Sequence, residues 1–404
     1  MARRAALVLT PRLPWPLDDG GRIVLWQGLW AAARDHDVTL VSFVTRGTEH
    51  DPLPDPLRAV TGRVVRVPHR PPALPIAMVR GLLGRWPYTL ARYQDATFAR
   101  AVRDAVAAAR PEYALINHLH LAPYVEALGE VPMILREHNV EHLWMERRAR
   151  DLGATPAGAY ARAQAGRLRR AERDLCGRAA LTLAIQEAEA EALRSLAPLA
   201  RVRTVPIGVE LSRFREPSPA APPIVLLPGS FAWPPNVEGA LRFLEEGWPR
   251  VRAAAPAARL RVAGKGPPAR LRDAAIRAGV TLAADVPSME DELAAATVVV
   301  VPLWVGAGAR VKVVEAMAAR VPVAATPLAV EGLALEPELH YSAADDAAGL
   351  GDRVATLLGD PAERLRLSAT GRALAEARWS IEARARLQSA LIVEAIVTPE
   401  ASLG

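Results

Sequence analysis

Cysteine occurs once in the 404 residues, at Cys176. One thiol excludes an internal disulfide framework and a zinc ribbon, and it suits a reducing compartment. Long apolar runs are missing as well. No window approaches the roughly 20 apolar residues that a membrane span needs, and the run Ala5 to Leu9 behind Arg3 and Arg4 is too short for the hydrophobic region of a signal peptide. These absences predict a cytoplasmic protein. Lysine is the third scarcity, because Lys265 and Lys312 are the only two among fifty basic residues. Where nearly every basic position is arginine, a retained ammonium marks a place that needs a compact point charge, the kind that grips phosphate.

What is present is a large apolar fraction, 51% of the chain. At this length it can build more than one core, so two domains are expected. The sequence pI is near 9.9, yet the formal net charge is only +6. Between Arg147 and Arg178 lie nine arginines and three acids, an excess equal to that of the whole chain. This helical stretch is a candidate for docking on an anionic membrane or another acidic surface, at the inner face of the cell membrane if so. Nucleic acid is not expected as a partner, since Tyr160 is the one aromatic residue interleaved with these arginines.

Short apolar segments alternate with helical ones. In the first half, Ala5 to Leu9, Val38 to Val44, Val64 to Val67, Ala114 to Asn117, Met133 to Leu135 and Leu181 to Ile185 read as strands. Ile23, Trp26, Leu29, Trp30 and Ala33 mark one helix face, and further helices are predicted at Thr89 to Ala109 and Tyr160 to Arg178. The proline-rich run Asp51 to Pro75 reads as a surface excursion. Residues 216 to 223, EPSPAAPP, read as an interdomain linker. The pattern then restarts with strands at Ile224 to Leu227, Arg259 to Ala263, Val280 to Leu282, Val298 to Val301 and Val321 to Ala324. The stretch Asp345 to Val397 is helical, interrupted at Gly359 and Pro361. The expectation is an α/β protein of two doubly wound Rossmann-like domains, residues 1–215 and 224–380, facing each other across a cleft. A terminal helix over 381–404 is expected to pack back on the first domain.

In such sheets ligands meet the loops at the carboxyl ends of strands. The first loop, Thr10 to Arg22, ends in Gly20 and Gly21 at a helix start, where a backbone can approach a ligand closely. No GxGxxG follows this strand, which argues against an NAD-dependent dehydrogenase. Four of the eight histidines, His118, His120, His138 and His142, fall at two adjacent strand ends, with Glu137 between them. His138 to His142 also fits H-x-x-E-H, with Glu141 as its base, but it follows a strand directly instead of lying within a long helix, and no metal is expected.

In the second half, Gly229 to Asn236 (GSFAWPPN) and Gly264 to Pro268 (GKGPP, with Lys265) follow the first two strands. Asp285 to Met289, containing Val286, follows the third and offers backbone groups to a base edge. Gly306, Ala307, Gly308 and Ala309 lead from the four-valine strand into a helix that carries Arg310, Lys312 and Glu315. Helix N–H groups and these cations suit a diphosphate, and a carboxylate at Glu315 can accept from two adjacent ribose hydroxyls.

Over nearly its full length the chain resembles family 4 retaining glycosyltransferases of the GT-B fold, among the glycosyl transferases group 1. The resemblance rests on DDGGRIVLWQGLWAAARDHDVTLVS, on VPIGVELSRF at Val205 to Phe214, on GSFAWPPNVEGALRFL, on RVAGKGP, and most specifically on VPLWVGAGARVKVVEAMAARVPVAATPLAVEGL. It implies that Glu315 holds the donor ribose, that the glycine loop meets the diphosphate and sugar, and that Gly20 and Gly21 close over the donor. It also places His118 near the reacting carbon, while His120, Glu137 and His138 are assigned to the acceptor side. Three positions depart from it. Ala307 replaces a glutamate eight residues before Glu315, Ser230 and Asn236 stand in a loop that often carries arginine and lysine, and Ile207 replaces an asparagine. Arg310 and Lys312 are expected to supply the missing charge.

The expected reaction is transfer of a sugar from a UDP-, GDP-, ADP- or dTDP-linked donor to a glycan, lipid-linked or small-molecule acceptor. The resemblance implies that the anomeric configuration is retained and that polysaccharide biosynthesis is the setting. No carboxylate pair of glycosidase spacing is apparent. A nucleotide-sugar epimerase, or an inactive nucleotide-sugar-binding protein of the same architecture, are the alternatives.

Overall fold

The computed structural model describes residues 3–17, 19–305 and 310–397. It divides into two compact units, Met1–Ile207 with Arg384–Gly404, and Gly208–Ala383.

The first unit holds β1 (Arg4–Thr10), β2 (His36–Thr45), β3 (Arg63–His69), β4 (Tyr113–Asn117), β5 (Met133–Arg136), β6 (Leu181–Ala184) and β7 (Val202–Thr204). They form one sheet in the order β3-β2-β1-β4-β5-β6-β7, parallel throughout. Helices cover both faces, so the central strands are buried on both sides: Ala6 to Leu9 and all of β4 are inaccessible to solvent or nearly so. This is why they read as unbroken apolar runs instead of alternating ones.

The helix predicted over Thr89 to Ala109 is two, Tyr88–Ala91 and Ala96–Ala109. Asp95 separates them because its carboxylate accepts from the N–H groups of Thr97 and Phe98, a capping role that requires its own extended backbone. The proline-rich excursion contains a short helix, Asp55–Val60, then β3, and its last proline sits in the first turn of the helix Leu74–Leu83, where a missing N–H costs nothing.

The terminal helix Ile381–Val397 sends Gln388 into the first unit. Its amide oxygen accepts from Arg136 Nη1 at 2.7 Å, and its amide nitrogen donates to the carbonyl of Gly28 at 3.3 Å.

The second unit holds β8 (Ile224–Pro228), β9 (Arg259–Gly264), β10 (Thr281–Ala284), β11 (Val298–Val301), β12 (Val323–Ala325) and β13 (Ser342–Ala343), all parallel, in the order β10-β9-β8-β11-β12-β13. The division between units falls at Ile207 and Gly208, upstream of the EPSPAAPP run. That run is bonded into the second unit, with Ser218 and Ala220 donating to the carbonyls of Ala294 and Ala295 at 2.8 and 3.0 Å. Pro219 between those residues has no donor to lose, so an extended edge segment suits it as well as a linker would.

Both sheets reverse their winding at the central pair, β1 with β4 and β8 with β11. That topological switch point opens a crevice at the carboxyl ends of the strands in each unit. In the second unit glycines permit close approach there: a Cβ on Gly239 would lie 1.9 Å from the carbonyl oxygen of Pro302, and one on Gly264, whose φ is 145°, would lie 1.8 Å from that of Gly229. The helix that starts at Pro234 can therefore seat against the end of β11, and β9 against the loop after β8.

Candidate functional site

At the switch point of the second unit, Gly229 and Ser230 open the loop after β8, and Asn236 lies in the first turn of the helix Pro234–Arg242. Asn236 is buried, and its side chain makes one bond within its own loop and one across the crevice. Its amide nitrogen donates to the Ser230 carbonyl at 2.8 Å, and its amide oxygen accepts from Lys312 Nζ at 2.7 Å. Lys312 is the second residue of the helix Val311–Ala318, which follows β11. Its ammonium is thus fixed between the two loops that flank the reversal. Burial, with Arg310 as a lesser cause, lowers its pKa to about 8.

Arg310 is placed differently from Lys312. It is buried and donates from Nη2 to Glu331 at 3.2 Å, so a carboxylate already shares its charge. Glu315 lies one turn along the same helix, half-buried, with its pKa raised to about 7 by burial and by Glu290 and opposed by Arg213. Arg213 is itself paired with Glu290. This Arg213–Glu290 pair beside Glu315 escaped the sequence reading, although Arg213 stands within the VPIGVELSRF segment. Val286 is half-buried after β10, next to Asp285, whose carboxylate accepts from the N–H of Gly266 at 3.3 Å. Gly306, Ala307, Gly308 and Ala309 lie outside the described residues.

In the first unit, Gly20 and Gly21 begin the helix Gly20–Asp35, and Asp19 caps it by accepting from Arg22 N at 3.0 Å. Arg12, from the same loop, grips Asp19 with two bonds of 2.5 and 2.8 Å. A Cβ on Gly21 would meet the Arg12 guanidinium at 2.6 Å, so the second glycine leaves room for that fork.

His118 follows β4 with φ at 88°, a left-handed conformation that costs a histidine energy and therefore marks a held position. Its Nδ1 accepts weakly from the His120 N–H at 3.4 Å, and its Nε2 lies 3.6 Å from Glu141. The His118 ring stacks on His120 at 3.9 Å and sits 5.1 Å from His138, while His120 stacks in turn on Tyr93 at 4.6 Å.

The cluster is depressed in charge. Burial, then Arg12, lowers the His118 pKa to about 4; burial likewise lowers His120 and His138. Burial raises Glu137, and it raises Glu141 to about 8 with Glu172 contributing. Glu137 is buried with one oxygen accepting from Leu119 N at 3.3 Å and the other unpartnered, and His138 Nε2 is also unpartnered. At neutral pH the imidazoles are neutral hydrogen-bonding groups. Glu141, which the sequence offered only as part of H-x-x-E-H, and Tyr93 complete this cluster.

Among the described residues, His118, His120 and Glu141 bring one ligand atom each within 4.8 Å of one another. The stacking works against joint ligation. Two rings 3.9 Å apart and 15° from parallel direct their in-plane lone pairs side by side, not toward one point 2.0–2.1 Å from both. The H-x-x-E-H pattern dissolves as well: His138 precedes the helix that begins at Glu141, and His142 Nδ1 is bonded to the buried Glu172.

Residues 222–360 match the family model described as glycosyl transferases group 1. No curated protein matches the chain. Among solved structures, a sucrose-phosphate synthase from Thermosynechococcus elongatus is similar at a TM-score of 0.73 and 20% identity, over 98% of this chain and 100% of that one. Anabaena HepE, solved with UDP and glucose, gives a TM-score of 0.69 at 14% identity over 97% and 100%. WaaG, a glycosyltransferase involved in lipopolysaccharide biosynthesis, gives 0.66 at 14% over 95% and 99%. The chain has the GT-B fold of these structures, and its residues 222–360 match a glycosyl transferases group 1 domain.

Proposed function

We propose that the chain moves a sugar from a nucleotide diphosphate sugar to an acceptor, with retained anomeric configuration and without a metal. The observation that carries this reading is the Lys312 to Asn236 bond, which fixes an ammonium between the two switch-point loops of the second unit. As the donor breaks, negative charge grows on the leaving diphosphate. A preorganised ammonium at a helix start stabilises that charge more than it stabilises the intact donor. Lys312 takes this role, with Arg310 lending field from its pair with Glu331. Glu315 accepts the ribose hydroxyls once ionised, and Arg213 favours that ionisation.

The resemblance assigns His118 to the reacting sugar, and a neutral imidazole suits hydrogen bonding to a hydroxyl better than it suits proton transfer from a cation. His120, Glu137 and His138, clustered beside it, are the acceptor-side candidates, and the resemblance assigns Gly20 and Gly21 to the donor. HepE was solved with UDP-glucose, so UDP-glucose is the first donor to test, ahead of GDP-, ADP- and dTDP-sugars. Transfer to an acceptor in the presence of a chelator, lost in Lys312→Ala and Glu315→Ala proteins that melt like the wild type, is the expected result. Isomerised donor without transfer would identify an epimerase. Nucleotide-sugar binding with neither transfer nor isomerisation would identify a binding protein.

A further inference from the structure

The helix Leu74–Leu83 is built inside out. Five of its side chains, Leu74, Ile76, Val79, Leu82 and Leu83, are 48 to 84% exposed, while its buried residues are Ala77 and Gly81. A surface helix ordinarily turns its apolar stripe to the core. Here the small residues face inward, and polar groups of the helix Pro156–Arg178 hold them. Tyr160 donates to the Met78 carbonyl at 3.0 Å, Gln164 donates to the Gly81 carbonyl at 3.2 Å, and Arg167 donates to that of Gly84. Gln164 also accepts from Tyr88 N at 2.9 Å. A Cβ on Gly81 would meet the Tyr88 backbone at 2.6 Å, so the inner edge has no slack. These bonds come from one face of the clamping helix, spaced four and three residues apart, and they fix the apolar side chains outward.

The surroundings are cationic. From Pro56 to Gln94 the sequence contains seven arginines and no acidic residue. Beside the helix lies a cavity of about 360 Å³ lined by Arg85, Trp86, Arg167, Arg170 and Arg178, with Asp174 as its one acidic lining residue. Glu126 also reaches Arg178 at 2.7 Å and Arg85 at 3.9 Å, so part of the charge is offset. The arginine excess of Arg147 to Arg178 and the exposed apolar helix, far apart in sequence, therefore meet on one surface of the first unit.

We propose that this surface docks the protein on a bilayer containing anionic phospholipid. The apolar side chains of Leu74–Leu83 enter the boundary between headgroups and acyl chains, and the arginine-lined cavity takes lipid phosphate. A second copy of the chain would leave two such arginine sets facing one another, whereas a lipid phosphate answers both the charge and the apolar stripe. None of these residues belongs to the donor site, so the proposal stands or falls apart from sugar transfer. Among the described residues no helix is long and apolar enough to cross a membrane, which is consistent with a surface mode of binding.

The test is vesicle flotation of the full chain with phosphatidylcholine alone and with phosphatidylcholine plus phosphatidylglycerol, at low and high salt. The wild type is expected to float with the anionic vesicles, less at high salt, and to stay behind with phosphatidylcholine. Val79→Glu/Leu82→Glu/Leu83→Glu should partition about tenfold or more weakly, and Arg85→Glu/Arg170→Glu should lose the preference for the anionic lipid. All proteins should melt at similar temperatures, since the substituted side chains are exposed. Failure of the wild type to float with anionic vesicles overturns the proposal, as does unchanged flotation of the triple variant. A dimer in solution that the triple variant dissociates, without vesicle binding, would assign the surface to a second copy and overturn it too.

Discussion

The two units share a parallel sheet with the same strand order about the centre, yet their switch points hold opposite kinds of group. In the second unit the crevice is lined by glycine backbone and by two groups able to carry full charge near neutrality, Lys312 and Glu315. In the first, the strand ends carry side chains that burial holds uncharged: His118, His120, His138, Glu137 and Glu141. One sheet topology therefore presents two different fields, because the topology fixes where loops converge while the residues on those loops fix the field there. A charged crevice suits a nucleotide diphosphate. The uncharged histidine and glutamate cluster, with Glu137 Oε1 and His138 Nε2 unpartnered, suits hydroxyl groups.

The largest effect should separate the units. Lys312→Ala is expected to lower kcat/KM by about a hundredfold, the usual cost of losing one charged contact to a developing anion. Calorimetric titration should show nucleotide diphosphate binding weakened with it. His118→Ala is expected to reduce transfer by roughly tenfold, the scale of one hydrogen bond, with nucleotide diphosphate affinity unchanged. If His118→Ala weakens nucleotide binding as much as Lys312→Ala does, the division of labour is wrong.

The next effect is on stability and belongs to the first unit. Arg136 is fully buried, with Gln388 holding one of its nitrogens and two others unpartnered. Gln388→Ala removes a hydrogen bond to a buried charge and should destabilise by about 2 kcal/mol. Arg136→Met in the same background should recover much of that, because the uncompensated guanidinium is then gone. Denaturant melts of the three proteins check this, and equal midpoints would show that the terminal helix carries no such bond in solution.

The titrations give a smaller, pH-dependent contrast. On the proposed reading of the second unit, Glu315 accepts ribose hydroxyls only when ionised, and Lys312 holds diphosphate only when protonated. Nucleotide affinity should therefore rise with pH through about 7 and fall through about 8. In the first unit, Glu141 keeps its proton up to about 8 in the folded state, whereas unfolded it loses it near 4.3. Between those values the folded state binds more protons, so stability falls as pH rises. Glu141→Gln should consequently gain thermal stability over the wild type as pH climbs through that window, by a few degrees at its upper end. A constant difference in Tm across it would contradict the raised pKa.

Much of this could be read from the chain because parallel sheets advertise themselves. Strands buried on both faces must be apolar throughout, as Val298 to Val301 is, and the loops that follow them are then located without further information. What sequence alone could not give was partnership across distance. Arg310 and Lys312 stand two residues apart, equal in formal charge, but Glu331 binds one and Asn236 the other. The stacking of His120 between His118 and Tyr93, and the approach of Glu141 to His118, likewise depend on side-chain directions that spacing does not encode. Asp95 marked a helix break only through its bonds to Thr97 and Phe98, and the EPSPAAPP run was drawn into the second unit by hydrogen bonds at Ser218 and Ala220.

The smallest expected effect tests the contact on which the charged crevice rests. Asn236 makes no charge of its own; it aims Lys312 and ties it to the Ser230 carbonyl. Asn236→Ala leaves the ammonium in place but unaimed, so the donor KM should rise about threefold to tenfold, with little change in kcat. Asn236→Asp sharpens the point. A carboxylate 2.7 Å from the ammonium favours its protonated form, so the alkaline fall in nucleotide affinity should move above pH 8, even though the added negative charge weakens diphosphate binding at neutral pH. A merely structural asparagine would lower stability in both variants and leave the alkaline limb where it was. Movement of that limb in Asn236→Asp alone would show that this residue sets the charge state of Lys312, the property in which the second crevice differs most from the first.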